Sequence, residues 1–272
     1  MAHDPDSAHA EAEGEEKDRA REERARDERG MGARLGAAVR ELVVVLAMAL
    51  TLSFIVKSFL VQAFFIPSES MQDTLLVGDR VVVSKLTPGP FDLERGDIVV
   101  FEDPGDWLSP TPEASRGPVL DGVRDALMFV GPLPDTSEGH LIKRVIGLPG
   151  DRVQCCDAEG RLLLNGEPID EMPYLKPGVS ASDIEFDITV PDGRMWVMGD
   201  NRSDSSDSRF HDPGGTGAKG SVPLDLVVGK AVVTVWPFDR MSGLSGHDEV
   251  FTDVRAPGTH SLAPPGREPH TS

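Results

Sequence analysis

Ser70 is the residue whose chemistry the rest of the chain can be asked to serve. It stands in the string Ile66-Pro67-Ser68-Glu69-Ser70-Met71, directly after the only long apolar run in the sequence. A serine hydroxyl is a weak nucleophile near neutral pH and attacks only when a base within hydrogen-bond reach takes its proton. Read by itself, Pro-Ser-x-Ser is an ordinary turn, because serine hydroxyls bond readily to nearby backbone. The base would have to come from elsewhere. Of the histidines His3, His9, His140, His211, His247, His260 and His270, none lies in a local Ser-His-Asp pattern, although His140 and His211 stay open. Lysine is the other source, since a desolvated ε-amine gives up its proton near neutral pH. Lys143 sits among Leu141, Ile142, Val145 and Ile146, where a charge is costly. Its competing reading is a strand lysine with its stem on the surface and its amine in water.

The elements that must position these groups follow from the hydropathy pattern. Leu42 to Val56 carries no charge on any face, which predicts a transmembrane helix rather than an amphipathic core helix. Extended past Lys57, whose amine would snorkel to the interface, the expected span is 42–62. A cleaved signal peptide, with Val61-Gln62-Ala63 as its cleavage site, is the rival; the long acidic leader and the interposed Lys57 speak against it. Residues 1–41 are rich in both signs of charge and almost free of large apolar side chains, so they are expected to be a disordered tail. Arg26, Arg29, Arg34 and Arg40 flank the span and assign this side to the cytoplasm.

Beyond the serine string the period changes to two. Val77–Lys85, Arg95–Phe101, Leu141–Val153, Asp183–Val190, Met195–Met198 and Val227–Trp236 read as strands separated by Gly, Pro and Asp turns. The successive Gly78-Asp79 and Gly96-Asp97 units suggest a meander. The expected layout is a mainly β, antiparallel domain over 63–239, with a surface excursion at 103–139 holding a short helix near 119–130. A β-hairpin subdomain is expected at 152–195 and a disordered tail at 240–272. Aromatic residues make up only 6% of the chain, while 28 Gly and 22 Pro punctuate it, which fits a loop-rich β fold better than a helical bundle. A net charge of −19 and the lack of a Lys/Arg block argue against nucleic acid as a partner. The adjacent pair Cys155-Cys156 leaves three readings: a vicinal disulfide, an intermolecular bridge, or two small buried apolar side chains, of which the last is preferred.

Taken together and in order, four stretches resemble the motifs of bacterial type I signal peptidases. They are Ile66 to Met71 after a span, Gly78-Asp79 before a Val-rich strand, Lys143-Arg144-Val-Ile-Gly-Leu-Pro-Gly-Asp151, and Gly199-Asp200-Asn201-Arg202 through Ser205, Asp207, Ser208 and Arg209. The resemblance implies a membrane-anchored Ser/Lys dyad endopeptidase that removes signal peptides from exported preproteins at small-x-small sites, its β domain outside the cytoplasmic membrane. It places Ser70 at the nucleophile and Lys143 at the general base. Ser68 falls where a hydroxyl joins the Ser70 N–H in the oxyanion hole, and Ser205 where a hydroxyl orients the lysine. Asp207 and Arg209 fall at an ion pair that supports the loop. Phe64, Ile66 and Ile142 flank the dyad in sequence and are expected to wall shallow pockets for small substrate side chains, delivered by strand addition. The implied partners are secreted preproteins and the lipid bilayer, with neither a cofactor nor a metal. One departure stands out: the family has Pro-Thr-Leu soon after its Ser-Met pair, where this chain has Gln72-Asp73-Thr74-Leu75. The alternative to the enzyme is a membrane-tethered β domain used only for binding.

Overall fold

A computed structural model describes residues 38–56, 59–105, 107–108 and 139–257. Helix α1, Ala38–Val56, is apolar and exposed along its length, and by length and composition it qualifies as a membrane span. Its 19 residues rise about 28 Å, close to the thickness of a hydrocarbon core. The span therefore begins earlier than expected and takes Arg40 and Glu41 into its first turn, while Val61 and Gln62 leave it for a strand. The expected role of Lys57, most of the 1–41 tail and the 119–130 helix lie outside the described residues.

The β part is built on twelve strands among the described residues: β1 Val61–Phe65, β2 Arg80–Ser84, β3 Ile98–Glu102, β4 His140–Gly147, β5 Arg152–Cys155, β6 Leu162–Leu164, β7 Glu167–Pro168, β8 Phe186–Thr189, β9 Arg194–Met198, β10 Val222–Pro223, β11 Val227–Trp236 and β12 Ser242–Gly243. The larger sheet has the order β1-β2-β11-β3-β4-β9-β10, with β12 added on β11, and the smaller one β7-β6-β5-β8. Every pairing is antiparallel. The meander expected from the two Gly-Asp units does not form, because β11 inserts between β2 and β3. Register shifts in its ten residues let β11 bend enough to pair with both. The smaller sheet occupies Arg152–Thr189, so the expected 152–195 hairpin subdomain ends early and Arg194 and Met195 already belong to the larger sheet.

Gly78-Asp79, Gly96-Asp97 and Gly150-Asp151 prove to be three copies of one turn. Each glycine has a positive φ, at 96°, 89° and 85°, a region that glycine enters without steric cost. Each aspartate then accepts the N–H three residues back, from Leu76, Glu94 and Leu148. Each also meets a cation: Arg240, Lys230 and Arg95 respectively. The recurring dipeptide thus ends a loop and opens a strand, at Arg80, Ile98 and Arg152.

Three apolar clusters fill the interior. One gathers Phe64, Ile66, Met71, Leu75, Val81, Val83, Ile98, Val100 and Ile142 beneath the Ser70 turn. A second lies around Val99, Phe101, Trp107, Leu141, Val145 and Val197. The third fills the smaller sheet. Trp107 belongs to the core, stacked on His211 with ring centroids 4.2 Å apart.

Two further expectations are corrected. The segment after Asp239 is ordered as far as residue 257: Ser242–Gly243 pairs with β11 and Phe251 is buried at 7% exposure. It reads as disorder because short 3-10 turns and Pro/Gly spacing carry no periodicity. Cys155 and Cys156 are joined to each other as a vicinal disulfide, half-buried at the end of β5, rather than lying as two separate apolar side chains.

Candidate active site

The turn that carries Ser70 is pinned at both ends. Ile66 and the 78–79 turn exchange backbone hydrogen bonds, Ile66 N–H to Asp79 O at 2.9 Å and Gly78 N–H to Ile66 O at 2.9 Å. Met71 and Leu75, four residues apart and fully buried, plug into the apolar cluster, and the Leu75 N–H returns to Met71 O at 2.7 Å. Ser70, between Glu69 at the surface and Met71 in the core, is itself buried, with 6% exposure.

Lys143 reaches it from β4, which runs inside the larger sheet between β3 and β9. The Lys143 Nζ donates to Ser70 Oγ at 2.7 Å and to Ile142 O at 3.0 Å. The side chain is 4% exposed. Burial lowers the pKa of its amine from 10.5 to about 8, against the opposing pull of Asp207, Asp200 and Asp204. A lysine in this state has an accessible neutral form at mildly alkaline pH, with its lone pair available to a hydroxyl proton 2.7 Å away. Ser68 Oγ lies 3.3 Å from Ser70 Oγ, on the exposed side of the turn.

The loop after β9 closes the site from behind. Its Asn201 N–H donates to Ser70 O at 3.0 Å, and Asn201 Nδ2 donates to Glu69 O at 3.1 Å. The Asp207 carboxylate takes the Gly199 N–H at 3.0 Å and is gripped by the Arg209 guanidinium through two contacts of 2.8 Å. Burial pushes the Asp207 carboxyl up, but Arg209 and the Gly199 N–H outweigh it and hold the group below the usual carboxylate range. Arg209 also donates to Arg202 O at 2.9 Å, so Asp207 and Arg209 together tie the two limbs of the loop.

Ser205 is buried in the same place, its hydroxyl set against the Asp207 carboxylate, while the Lys143 amine donates to Ser70 Oγ and Ile142 O. Phe64, Ile66 and Ile142 come together as expected, but as members of one packed cluster with exposures of 1%, 1% and 7%. His140 tilts against Phe64, and His211 stacks on Trp107, its Nδ1 2.9 Å from Asp207 O.

Sequence reasoning gave no role to a buried polar lattice next to the dyad. Arg144 pairs with Asp200 through two contacts of 2.8 Å, and it also donates to Gly96 O at 2.7 Å and Ser245 O at 3.2 Å. Its guanidinium lies 4.2 Å over the Tyr174 ring. Thr74, on the Ser70 turn, donates to Asp200 Oδ2 at 2.5 Å, the oxygen that Arg144 Nη2 also meets. Arg202 pairs with Glu171, which also accepts from Tyr174 Oη at 2.7 Å. The signal was present, because Lys143-Arg144 puts two cations inside an apolar strand, and two buried cations require buried acceptors.

The family described as "Signal peptidase, peptidase S26" matches residues 39–236. The probable signal peptidase I of Mycobacterium leprae is 38% identical over 237 residues, covering 76% of this chain and 80% of that protein. The signal peptidase I of Mycobacterium tuberculosis is 39% identical over 222 residues, covering 75% and 74%. The crystal structure of a signal peptidase I from Enterococcus faecalis is similar to 52% of this chain at 24% identity, with a TM-score of 0.31.

Proposed function

The chain belongs to the signal peptidase family, peptidase S26, and on that premise we propose that it is a membrane-anchored endopeptidase in which Ser70 attacks and Lys143 acts as base. The observation that carries the assignment is the 2.7 Å contact between Lys143 Nζ and Ser70 Oγ inside a buried pocket of lowered lysine pKa.

In this reading neutral Lys143 accepts the Ser70 proton as Oγ attacks the scissile carbonyl carbon. The carbonyl oxygen, now negative, lies against the Ser70 N–H and the Ser68 hydroxyl, donors worth roughly 3–4 kcal/mol each in comparable hydrolases. Lys143 then returns the proton to the departing amine, leaving an acyl group on Ser70. Water, deprotonated by the same amine, releases it. The Asp207–Arg209 pair supports the loop behind the dyad and carries no proton. Cleavage after small-x-small sequences is proposed on the family resemblance, with Phe64, Ile66 and Ile142 packed beneath the Ser70 turn.

Substrates of this kind are N-terminal signal peptides of exported preproteins. Helix α1 would anchor the chain, and the arginines at and before its start support a cytoplasmic N-terminus with the β domain on the opposite side of the membrane. The test is incubation of the full-length protein in detergent with a synthetic preprotein carrying an Ala-x-Ala site. Wild type is expected to cut once after that site, and Ser70→Ala and Lys143→Ala to cut nothing while keeping the wild-type circular dichroism. A Lys143→Ala enzyme with near-normal turnover refutes the assignment.

A further inference from the structure

The turn behind Ser70 has a feature that the reaction above does not use. Asp73 takes a φ of 98°, a left-handed conformation that costs a non-glycine residue and that a proline ring, fixed near −65°, cannot adopt. This is the stretch where the chain departs from Pro-Thr-Leu. The backbone next to the nucleophile is therefore strained and lacks the stiffness of a proline, so something else has to hold it.

The side chain of Gln72 is placed to do so. Its Oε1 accepts from Lys176 Nζ at 2.8 Å and from Asn201 Nδ2 at 3.4 Å. The same Asn201 amide also donates to Glu69 O, and its backbone N–H donates to Ser70 O. Lys176 is fixed independently, its N–H donating to Asp200 O at 3.0 Å. Among the described residues the Lys176 ammonium lies within ion-pair distance of no carboxylate, so a neutral amide oxygen is its side-chain acceptor. Three segments far apart in sequence thus converge on one oxygen atom: the Ser70 turn, the segment between β7 and β8, and the loop after β9.

We propose that Gln72 is a positioning residue, which, through Lys176 and Asn201, clamps the Ser70 turn to the two segments behind it. The inference rests on the assignment of Ser70 and Lys143 given above. Gln72 touches no reacting atom; it acts by keeping Ser70 Oγ within reach of Lys143 Nζ while the oxyanion forms. An aligned nucleophile loses rate steeply when displaced, whereas substrate binding along an extended strand does not depend on that alignment.

The test uses the full-length protein in detergent, with kcat and KM for a synthetic preprotein and Tm for each variant. Gln72→Ala and Lys176→Met are each expected to lower kcat about tenfold with KM within about twofold and Tm nearly unchanged. The double variant should be no slower than the slower single, because both changes break the same link. Gln72→Glu, which keeps an acceptor for both donors, should restore kcat to within about threefold of wild type. Unchanged kcat in Gln72→Ala overturns the proposal. So do losses that multiply in the double variant or run parallel to Tm, or a Gln72→Glu enzyme as slow as Gln72→Ala. Ser70→Ala is assayed alongside. If it still cleaves, the underlying assignment fails; if it is dead while Gln72→Ala is fully active, only the clamp fails.

Discussion

Gly199 approaches Ser70 so closely that a side chain has no room between them. A Cβ at position 199 would fall inside contact distance of the Ser70 carbonyl oxygen and of Ser205 Oγ and Cβ. The loop after β9 therefore touches the candidate nucleophile through bare backbone. Gly199→Ala is expected to push the Ser70 turn away from Lys143 and to lower kcat/KM about a hundredfold, the usual consequence of moving a reacting group by an ångström or so. Turnover of that variant within about threefold of wild type would mean the turn yields without consequence.

The lowered pKa of Lys143 fixes the direction of the pH response. Below about 8 the amine is protonated and cannot accept the Ser70 proton. The kcat/KM for a neutral-site substrate is expected to rise with pH, tenfold per unit on the acid side, and to level off above about 8. A plateau already reached at pH 6 would require a different base.

The same shift acts on stability with a definite sign. The unfolded lysine titrates near 10.5 and the folded one near 8, so between these values the unfolded chain binds more protons and stability rises with pH. At pH 7 the folded protein carries the full cost of the buried ammonium, on the order of 3 kcal/mol. Lys143→Met should therefore abolish cleavage and yet raise Tm at pH 7, with the gain shrinking as pH approaches 10.5. A lower Tm at pH 7 would contradict this.

Ion pairs in this protein should differ sharply in importance. Arg144–Asp200 is fully enclosed, whereas Arg152–Asp187 leaves about half of each side chain in water. Asp200→Ala strands a buried guanidinium and should cost about 3–5 kcal/mol in denaturant unfolding. Asp187→Ala should leave the midpoint where it was, since exposed pairs are screened. Equal effects would overturn the ranking.

The segment after Asp239 offers a fifth test. It supplies Ser245 O to Arg144, Arg255 O to Arg95 and Asn165, and the buried ring of Phe251. A chain ended at Asp239 should melt well below wild type and lose activity with it. An unchanged Tm would return the segment to the class of dispensable tails.

The strands and the apolar helix were legible because period-two alternation and a charge-free run are local signals. Lys143 was not legible on those terms: a lysine in an apolar strand reads as well outward as inward, and only its company with three other motifs selected the inward reading. The order β2-β11-β3 escaped for a related reason, since nothing in either Gly-Asp unit says that a strand from much later in the chain will come between them. Arg144, Asp200, Glu171 and Arg202 were visible as charges but not as a lattice, because sequence shows a buried charge without showing its acceptor. Asp73 stands where the family's proline would be, and the neighbouring Gln72 takes its value from Lys176 and Asn201, more than a hundred residues away.

The alternation of β4 has a consequence for how the gene can change. Lys143 pairs across to Val99 and Arg144 to Ile98, so the two cations leave the strand on opposite faces. A slip of β4 by a single residue in one direction would carry Arg144, whose guanidinium never deprotonates, into the place of Lys143 opposite Val99, and in the other direction would put Ile142 there. Insertions or deletions of one codon anywhere between the turn at Gly139 and Lys143 should thus be lethal to function even where the apolar pattern survives.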